Sequence, residues 1–284
     1  MRYIQAHNPC NLCGSSKAEL YQAADEGFSV IRCNKCHLIY VDPQPDEEVL
    51  KKSYSFSYYE PWVLRQKKLR NKMWQKRLTR IKRMVPSGRL LDIGCGEGSF
   101  LELAEIAGYH ATGTEYSEVA APIARGRLRH GNVFLGPLSE LLLANNYFDI
   151  VTMWHVLEHV IDPKRYLKEI HSILKPDGLL VMAVPNVNDL VMQIAYRIIK
   201  RRKMKLFSKD EKEVHLYHFS AETIKAYLDK TGFECLRLSP DFGIVEDSKK
   251  LINMISAIPY YLAGIKIFNA IEIYAIPKRI ADHQ

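Results

Sequence analysis

Residues 89–101 read Arg89-Leu90-Leu91-Asp92-Ile93-Gly94-Cys95-Gly96-Glu97-Gly98-Ser99-Phe100-Leu101. Leu90, Leu91 and Ile93 form a short apolar run of the kind found in a buried parallel strand. Three glycines follow at alternate positions, and they allow a tight turn and the close approach of a ligand to main-chain N–H groups. Apolar residues with helical spacing begin at Phe100. The stretch therefore predicts the first strand–turn–helix unit of a nucleotide-binding α/β fold.

The pattern of the glycines narrows the class of ligand. The sixth position of the dinucleotide fingerprint is Ser99 here, and no Lys-Ser/Thr pair follows the glycines as in a P-loop. Asp92 ends the strand, and its carboxylate suits a ligand that carries an amino group and a sulfonium better than one that carries pyrophosphate. The run resembles motif I of the class I S-adenosylmethionine-dependent methyltransferases. The resemblance implies a cofactor loop formed by Asp92, Gly94, Cys95, Gly96 and Gly98.

The second and third predicted strands carry the next candidate cofactor residues. Residues 110–115 predict a strand that ends in Glu115, about 20 residues after the glycine turn, where a carboxylate can accept both ribose hydroxyls. Tyr116 would flank the adenine, and Ser117 would cap the next helix. After the third strand the family usually has an acid that bonds the adenine amino group. This chain departs from the family there, and the backbone N–H of Leu138 is the remaining candidate for an adenine contact.

The fourth predicted strand, residues 146–154, leads into His155-Val156-Leu157-Glu158-His159. In open α/β sheets, ligands bind outside the carboxyl ends of the strands. By the resemblance, Trp154 and His155 would border the methionine part of the cofactor, and Glu158 and His159 would begin a helix near the transferred methyl group. Some relatives bind a divalent cation through E-x-x-E-H, but this chain has His155 at the first position, so a second metal is not favoured. A structural histidine is the alternative reading of His159.

His215 precedes a predicted helix that Ser220 would cap, in a segment that lies over the substrate in relatives. Histidine titrates near neutral pH and can remove a proton from a hydroxyl nucleophile. We therefore take His215 as the preferred candidate base, with His159 and His155 as the other catalytic candidates. A purely structural role for His215 stays open.

The cysteines predict a metal site near the amino terminus. Two C-x₂-C pairs about 20 residues apart can supply four thiolates to one tetrahedral zinc. The predicted ligands are Cys10, Cys13, Cys33 and Cys36. Four thiolates leave no open coordination position, so the zinc would be structural rather than catalytic. Disulfides or free thiols are the alternative, which we disfavour because the amino terminus lacks a signal-peptide pattern and indicates a reducing cytoplasm. The zinc leader and the proline-rich segment at 42–45 resemble those of zinc-ribbon methyltransferases of glycans and small molecules, the type-23-like group.

The charge of the chain is concentrated in two segments. Ten Lys/Arg and no acid lie between Arg65 and Arg83, and eight Lys/Arg and two acids lie between Arg197 and Lys212. Together they carry +16, and because the whole chain carries +8, the remainder is net −8. Basic patches favour anionic partners, although they can equally be solvated helix faces.

Two helices are predicted in and near these basic segments. Apolar residues from Trp62 to Val85 have helical spacing, with a basic opposite face, and the helix would dock on the following domain or cover the cofactor as a lid. Residues 190–207 predict an apolar face beside a basic one, which suits either peripheral contact with a membrane or an insert that packs over the site. No uncharged apolar run reaches the roughly 18 residues of a membrane-spanning helix, so we expect a cytoplasmic protein, peripheral at most at the inner membrane face.

We therefore predict an α/β fold: a seven-stranded Rossmann-like class I methyltransferase sheet with an N-terminal zinc ribbon. The predicted division is a ribbon at 1–45, a linker and amphipathic helix at 46–86, and a catalytic domain at 87–284. The expected function is methyl transfer from S-adenosylmethionine to an anionic small molecule, sugar or glycan precursor, which can be lipid-linked. The alternatives are an RNA methyltransferase, against which the sparse aromatic residues in the basic runs count, and a non-catalytic binding module.

Overall fold

The computed structural model describes residues 3–25, 27–45, 67–208, 214–243 and 247–278. The aromatic segment before Pro61 and the start of the predicted amphipathic helix, at Trp62, lie outside these residues. The strands are β1 Tyr3–Gln5, β2 Lys17–Ala23, β3 Ser29–Cys33, β4 Ile39–Asp42, β5 Arg89–Ile93, β6 His110–Glu115, β7 Asn132–Leu135, β8 Phe148–Trp154, β9 Leu174–Pro185, β10 Tyr217–His218, β11 Phe233–Pro240 and β12 Ala270–Pro277. The α-helices are α1 Lys67–Met84, α2 Ser99–Ile106, α3 Ala120–Arg127, α4 Pro163–Ile173, α5 Leu190–Lys200, α6 Ala221–Lys230 and α7 Asp247–Ala263.

Seven strands form one twisted sheet in the order β11-β12-β9-β8-β5-β6-β7. Neighbouring strands in the run β9-β8-β5-β6-β7 pair in parallel. Strand β12 is antiparallel to both of its neighbours, β9 and β11. The predicted seven-stranded α/β sheet is therefore confirmed, and its last strand, β12, lies next to the sheet edge. The central strands are buried on both faces, which is why β5 and β8 read as nearly continuous apolar runs. Their carboxyl ends meet at one edge, which we call the ligand edge.

A second, antiparallel sheet holds the cysteine-rich segment and is completed by the rest of the chain. Its order is β1-β2-β3-β4-β10, and Tyr217 and His218 of β10 pair with Tyr40 and Ile39 of β4. The hydroxyl of Tyr217 also accepts a hydrogen bond from the Gln44 side chain. The segment that carries His215 is thus tied to the cysteine-rich sheet, and the two parts share one strand ladder.

Helix α1 docks on the large sheet, as one of its two interpretations predicts. Trp74, Leu78 and Ile81 are buried and pack in the same core cluster as Phe100 and Leu90. The expectation that the basic residues form the outer face is only partly correct, because Arg70 and Arg77 are buried. Both find acidic partners inside the protein, which offsets the cost of burying their charges.

Two local predictions differ from the structure. Glu158 and His159 belong to a single 3₁₀ turn, Leu157–His159, and the next helix begins only at Pro163. Asp162 accepts a hydrogen bond from the Arg165 N–H, and Pro163 occupies the first helical position, so the helix start is fixed there. Residues 175–178 read as a stop signal between the helix and a strand at 179–184, but strand β9 begins directly after α4, at Leu174, with an irregularity in its pairing with β8.

Helices α5 and α7 are the two inserts that carry apolar surface. Helix α5 begins at the ligand edge after β9, with Asp189 as its N-cap, and none of its residues is buried. Helix α7 packs beside it and joins β11 to β12. Among the helices of the described ranges, none is long and apolar enough to cross a membrane.

Candidate active site

The glycine loop after β5 leaves no space for side chains. Gly94, Gly96 and Gly98 have φ values of 67°, 57° and 81°, a left-handed conformation that favours glycine. A Cβ on Gly94 would lie 2.6 Å from Cγ2 of Val156, and one on Gly98 would lie 2.8 Å from Cα of Ala124. The loop therefore brings bare main chain to the ligand edge. The N–H group of Gly96 bonds Glu115, and those of Cys95 and Gly98 bond backbone carbonyl oxygens.

Glu115 links the end of β6 to this loop. Its side chain is buried, and its two oxygens accept hydrogen bonds from the N–H groups of Gly96, at 2.7 Å, and Ser117, at 2.8 Å. These bonds fix the carboxylate beside the glycine loop, and a carboxylate has further acceptor sites for a diol. Ser117 lies three residues before α3 and accepts a long hydrogen bond from the N–H of Ala120. The predicted capping role is wrong, because the N-cap of α3 is Val119.

Asp92 lies beneath the loop and is 1% exposed. Burial raises the pKa of Asp92 to about 8, the hydrogen bond from the Thr152 hydroxyl lowers it, and the nearby Glu115 raises it further. Asp92 is therefore largely protonated at pH 7 in the free protein. Cys95 packs against Gly113, whose Cβ would meet its Sγ at 2.8 Å, and burial raises the thiol pKa. Cys95 is accordingly a packing residue of the loop with an unreactive thiol.

The remaining predicted cofactor residues occupy the flanks of the ligand edge. Tyr116 directly follows Glu115 and is half-buried. Leu138 is buried and begins a short 3₁₀ turn whose other two residues are exposed. Trp154, at the end of β8, packs against Trp74 and Phe100 with ring centroids 5.7 Å and 5.6 Å away. The sequence predicted that Trp154 borders the cofactor, and the structure also gives it a packing role under α1.

His155 stands between two carboxylates at the end of β8. Its backbone is left-handed, with φ of 56°, and its side chain is 40% exposed. Nε2 lies 3.4 Å from Oδ2 of Asp241, and Nδ1 lies 3.6 Å from Oε1 of Glu158. Desolvation lowers the pKa of His155, but the interactions with these two carboxylates outweigh it and raise the pKa to about 9. His155 is therefore a cation at neutral pH.

Glu158 is the centre of a cluster that brings the three predicted catalytic histidines together. The Glu158 carboxylate is 1% exposed, and neither of its oxygens accepts a hydrogen bond from the described residues. Burial raises its pKa, but His155, His159 and His215 outweigh burial and hold the pKa at about 2. Nε2 of His159 lies 4.0 Å from the carboxylate, and Nδ1 of His159 donates to the carbonyl oxygen of Val214 at 2.8 Å.

His215 packs against His159 with ring centroids 4.8 Å apart. Burial and the neighbouring His159 lower the pKa of His215 to about 3, so His215 is neutral at physiological pH. His218 lies behind His215 in the shared strand β10, and burial lowers its pKa to about 4. Ligand atoms of Glu158, His159 and His215 lie within 4.8 Å of one another, which is also close enough for a shared cation.

Sequence reasoning missed a buried ion pair behind this cluster. Nη2 of Arg77 donates to Oδ2 of Asp241 at 2.6 Å, both residues are 2% exposed, and the guanidinium also lies 4.2 Å from the ring centre of Trp154. Two signals were available. Arg77 lies on the same helix face as Trp74 and Ile81. Asp241 directly follows β11, at the ligand edge.

The four predicted zinc ligands converge beside the small antiparallel sheet. Their Sγ atoms all lie within 4.8 Å, and the Cys10–Cys36 and Cys13–Cys33 pairs are 3.4 Å and 3.5 Å apart. A zinc with bonds of about 2.3 Å places tetrahedral thiolates about 3.8 Å apart, so the arrangement fits such an ion. Gly14 and His37 follow the two pairs with φ of 74° and 62°, so each pair lies on a tight knuckle turn.

Comparison with known proteins places this arrangement in a family. A family model described as "Methyltransferase domain" matches residues 65–238, more than half of the chain. The chain is 36% identical over 104 residues to the ubiquinone biosynthesis O-methyltransferase of Ruegeria pomeroyi, a match that covers 35% of this chain and only 42% of that protein. It is 27% identical to the demethylmenaquinone methyltransferase of Bacillus cereus, over 62% of this chain and 82% of that protein.

A solved structure of an S-adenosylmethionine-dependent methyltransferase from Archaeoglobus fulgidus shares the fold. It superimposes with a TM-score of 0.53 at 24% identity, covering 76% of this chain and all of that one. The family match spans the glycine loop, Glu115 and the turn that holds Glu158. The chain therefore belongs to the class I S-adenosylmethionine-dependent methyltransferase family.

Proposed function

We propose that this protein binds S-adenosylmethionine at the ligand edge and transfers its methyl group to a small-molecule acceptor held near the three histidines. The observation that carries the proposal is the buried Glu115 carboxylate, which is fixed by the N–H groups of Gly96 and Ser117 beside a glycine loop without room for side chains. The cluster around Glu158 lies at the same edge of the sheet, after β8. The cofactor cradle and the candidate catalytic side chains therefore lie at the same edge of the sheet.

Each cradle residue has a distinct role in this proposal. Glu115 accepts the ribose hydroxyls, Tyr116 and Leu138 flank the adenine, and Asp92 and Trp154 line the methionine side of the cradle. The bound cofactor supplies an electrophilic methyl group on its sulfonium. The contribution of the protein is then to hold the acceptor in line with that methyl group and to exclude water.

The histidines differ in charge at pH 7, and we assign them different roles accordingly. His215 is neutral at pH 7, so one of its ring nitrogens can accept a proton from an acceptor hydroxyl, but its lowered pKa makes it a weak base in the free protein. His159, whose Nδ1 donates to Val214, can share that role through Nε2. The Glu158 carboxylate would stabilise an imidazolium formed there. His155 is already charged, so we assign it to binding rather than to proton removal. A cation at this position would attract an anionic acceptor, which is why we favour one.

The class of acceptor follows from this charge and from the relatives. Two relatives carry names that refer to small molecules, ubiquinone biosynthesis and demethylmenaquinone. We favour an anionic small molecule, sugar or glycan precursor, which can be lipid-linked. Methylation of RNA is the rival, and a steep salt dependence of RNA binding would support it.

We also propose one structural zinc on Cys10, Cys13, Cys33 and Cys36. The spacing of the four Sγ atoms and the paired knuckle turns support it. Four thiolates leave no open coordination position, so the ion would stabilise the small sheet without entering the reaction.

The first test is calorimetric binding of S-adenosylmethionine to the zinc-loaded protein and to Glu115→Ala. Truncation of a charged hydrogen-bonding group costs about 1.5–3 kcal/mol, so we expect affinity to fall by about tenfold to a hundredfold. Glu118→Ala is the matched control, because Glu118 is exposed three residues further along. Circular dichroism must show that each variant is folded. Failure of folded wild type to bind the cofactor, or equal affinity in the two variants, would contradict the proposal.

A further inference from the structure

The exposed face of helix α7 is apolar, and its buried face is small and polar. Asn253, Ser256 and Ala257 are the buried residues of its described part. The large apolar residues instead face solvent at helical spacing, and Leu262 is 82% exposed. The exposed stripe consists of Leu251, Met254, Ile255, Ile258, Tyr261 and Leu262. This is the reverse of the pattern that a helix packed on a protein core requires.

Helix α5 extends the same kind of surface. Leu190 and Ile194 are about half exposed, and Ile198 and Ile199 are 72% and 70% exposed. The two helices pack side by side, so together they form one apolar face, which we call the α5–α7 face. A continuous exposed apolar face on one side of a molecule indicates an interaction site, whereas single apolar residues scattered over a surface do not.

Positive charge borders the α5–α7 face. The end of α5 and the segment after it carry exposed cations, and residues 190–208 contain no acid. Lys205 pairs with Asp25, but the other cations have no carboxylate within ion-pair distance among the described residues. These cations are Arg197, Lys200, Arg201, Arg202 and Lys203.

A cleft of about 260 Å³ lies at this basic border, between the cysteine-rich sheet and α5. Its described lining includes Arg197 and Lys203 together with the polar side chains of Gln193 and Tyr21, and it includes no acid. The segment after α5 is held in place there, because Gln22 donates to the carbonyl oxygen of Met204 and accepts from the N–H of Leu206. The cleft therefore offers ordered cations to a phosphate-bearing group.

We propose that the α5–α7 face is a docking surface for an anionic phospholipid bilayer, with lipid headgroups at the Arg197–Lys203 border. Exposed apolar residues would enter the boundary between headgroups and acyl chains, while the cations contact lipid phosphates. A second copy of this chain fits less well, because a two-fold contact through this face would bring the unpaired cations of both copies together. The docking does not depend on the methyl-transfer activity.

The surface is connected to the ligand edge by hydrogen bonds. Nδ2 of Asn253 in α7 donates to the carbonyl oxygen of Asp241, whose carboxylate lies beside His155. Helix α5 begins at the N-cap Asp189, which accepts a hydrogen bond from Asn269 next to β12. Docking would therefore place the ligand edge close to the bilayer, where an amphiphilic acceptor resides.

The test is cosedimentation of the full zinc-loaded protein with vesicles of phosphatidylcholine, with and without about one third phosphatidylglycerol. Two variants separate the contributions: Leu262→Glu removes apolar contact, and Arg201→Glu with Arg202→Glu reverses two charges. We expect each to weaken binding to the anionic vesicles by about tenfold or more. Binding of the wild type should also fall at high salt, because the charges are exposed.

Matched controls change equally exposed residues elsewhere. Ile106→Glu alters an apolar residue that is 75% exposed at the end of α2. Arg129→Glu with Lys168→Glu reverses two exposed cations outside the α5–α7 face. The controls should bind vesicles within about twofold of the wild type.

Three results would overturn the proposal: no preference of the wild type for anionic vesicles, an equal loss in the controls, or a dimer in light scattering that Leu262→Glu dissociates without changing vesicle binding. Cofactor affinity is measured on the same variants. An absence of vesicle binding together with intact cofactor binding refutes this surface alone, whereas an absence of cofactor binding refutes only the proposed function.

Discussion

Asp92 gives the proposed cofactor site a dependence on pH. Burial raises the pKa of Asp92 to about 8, so the free protein carries a proton there at pH 7. A ligand with a sulfonium and an ammonium group favours the carboxylate, and it should therefore displace that proton on binding. By linkage, affinity should rise as pH increases towards 8, by up to about tenfold per unit, and level off above it.

This proton release is measurable by calorimetry at pH 7 in two buffers with different ionisation enthalpies. We expect the apparent binding enthalpy of the wild type to change with the buffer, by up to about one proton per ligand. Asp92→Asn cannot release a proton, so its binding enthalpy should be the same in both buffers. Identical heats for the wild type in the two buffers would rule out this linkage.

His155 should stabilise the fold in a pH-dependent manner. Asp241 and Glu158 raise its pKa from 6.5 to about 9, so its contribution is fully present below about pH 6.5 and is lost as pH rises through 9. We expect His155→Asn, which tolerates the left-handed backbone, to lower Tm by about 2–4 °C at pH 6 and by less at pH 9. His110→Asn, on an exposed position, is the control. A difference that grows with pH would contradict the assignment.

At the scale of the element, Arg77 determines how helix α1 docks. The Arg77–Asp241 pair is buried on both sides, so Arg77→Met leaves an uncompensated carboxylate and should cost about 3–5 kcal/mol of unfolding free energy. Addition of Asp241→Asn should recover part of the loss, because the two changes remove one interaction. Arg83→Met, at an exposed site on the same helix, should change the unfolding free energy by about 0.5 kcal/mol at most. Urea unfolding of the wild type, these three variants and Asp241→Asn alone gives the coupling, and additive losses in the double variant would refute it.

The sequence predicted elements well wherever one face or both faces of an element are buried. Residues 89–93 and 148–154 read as strands because burial on both faces demands apolar runs, and Ser220 was recognised as an N-cap, here in a capping box with Thr223. Side chains whose partners lie far along the chain were not predicted. Arg77 and Asp241 are 164 positions apart, and the local patterns mark each residue separately without pairing them. The 3₁₀ turn at 157–159 was also not predicted, because Asp162 caps the next helix and fixes its start beyond this turn.

For the candidate site, motif spacing indicated which residues gather at the ligand edge, and the structure brings His155, His159 and His215 around one carboxylate. Their charge states could not be predicted, because they depend on burial and on Asp241. His155 and His215 are the same residue type, yet their pKa values are shifted in opposite directions to about 9 and about 3.

At the scale of the whole molecule, metal binding by the four cysteines should determine whether the small antiparallel sheet stays folded. We expect purified wild type to hold about one zinc per chain, and Cys36→Ser to lose most of it together with several degrees of Tm. Cys235→Ser, which changes a half-buried cysteine outside the cluster, should retain the metal. Metal analysis and thermal unfolding measure both variants. Equal zinc content in the two would exclude the proposed ligand set.

The strand ladder between β4 and β10 also has a consequence for biosynthesis. Gln44 and Tyr217, which bond beside it, are 173 positions apart, so the cysteine-rich sheet cannot be completed until most of the chain has left the ribosome. The four cysteines emerge early and can capture metal while the large sheet is still being synthesised. Metal loading would then precede the slow, long-range step of folding, because contacts between distant positions form late. A chain that lacks metal would present an open edge at β4 to other nascent chains.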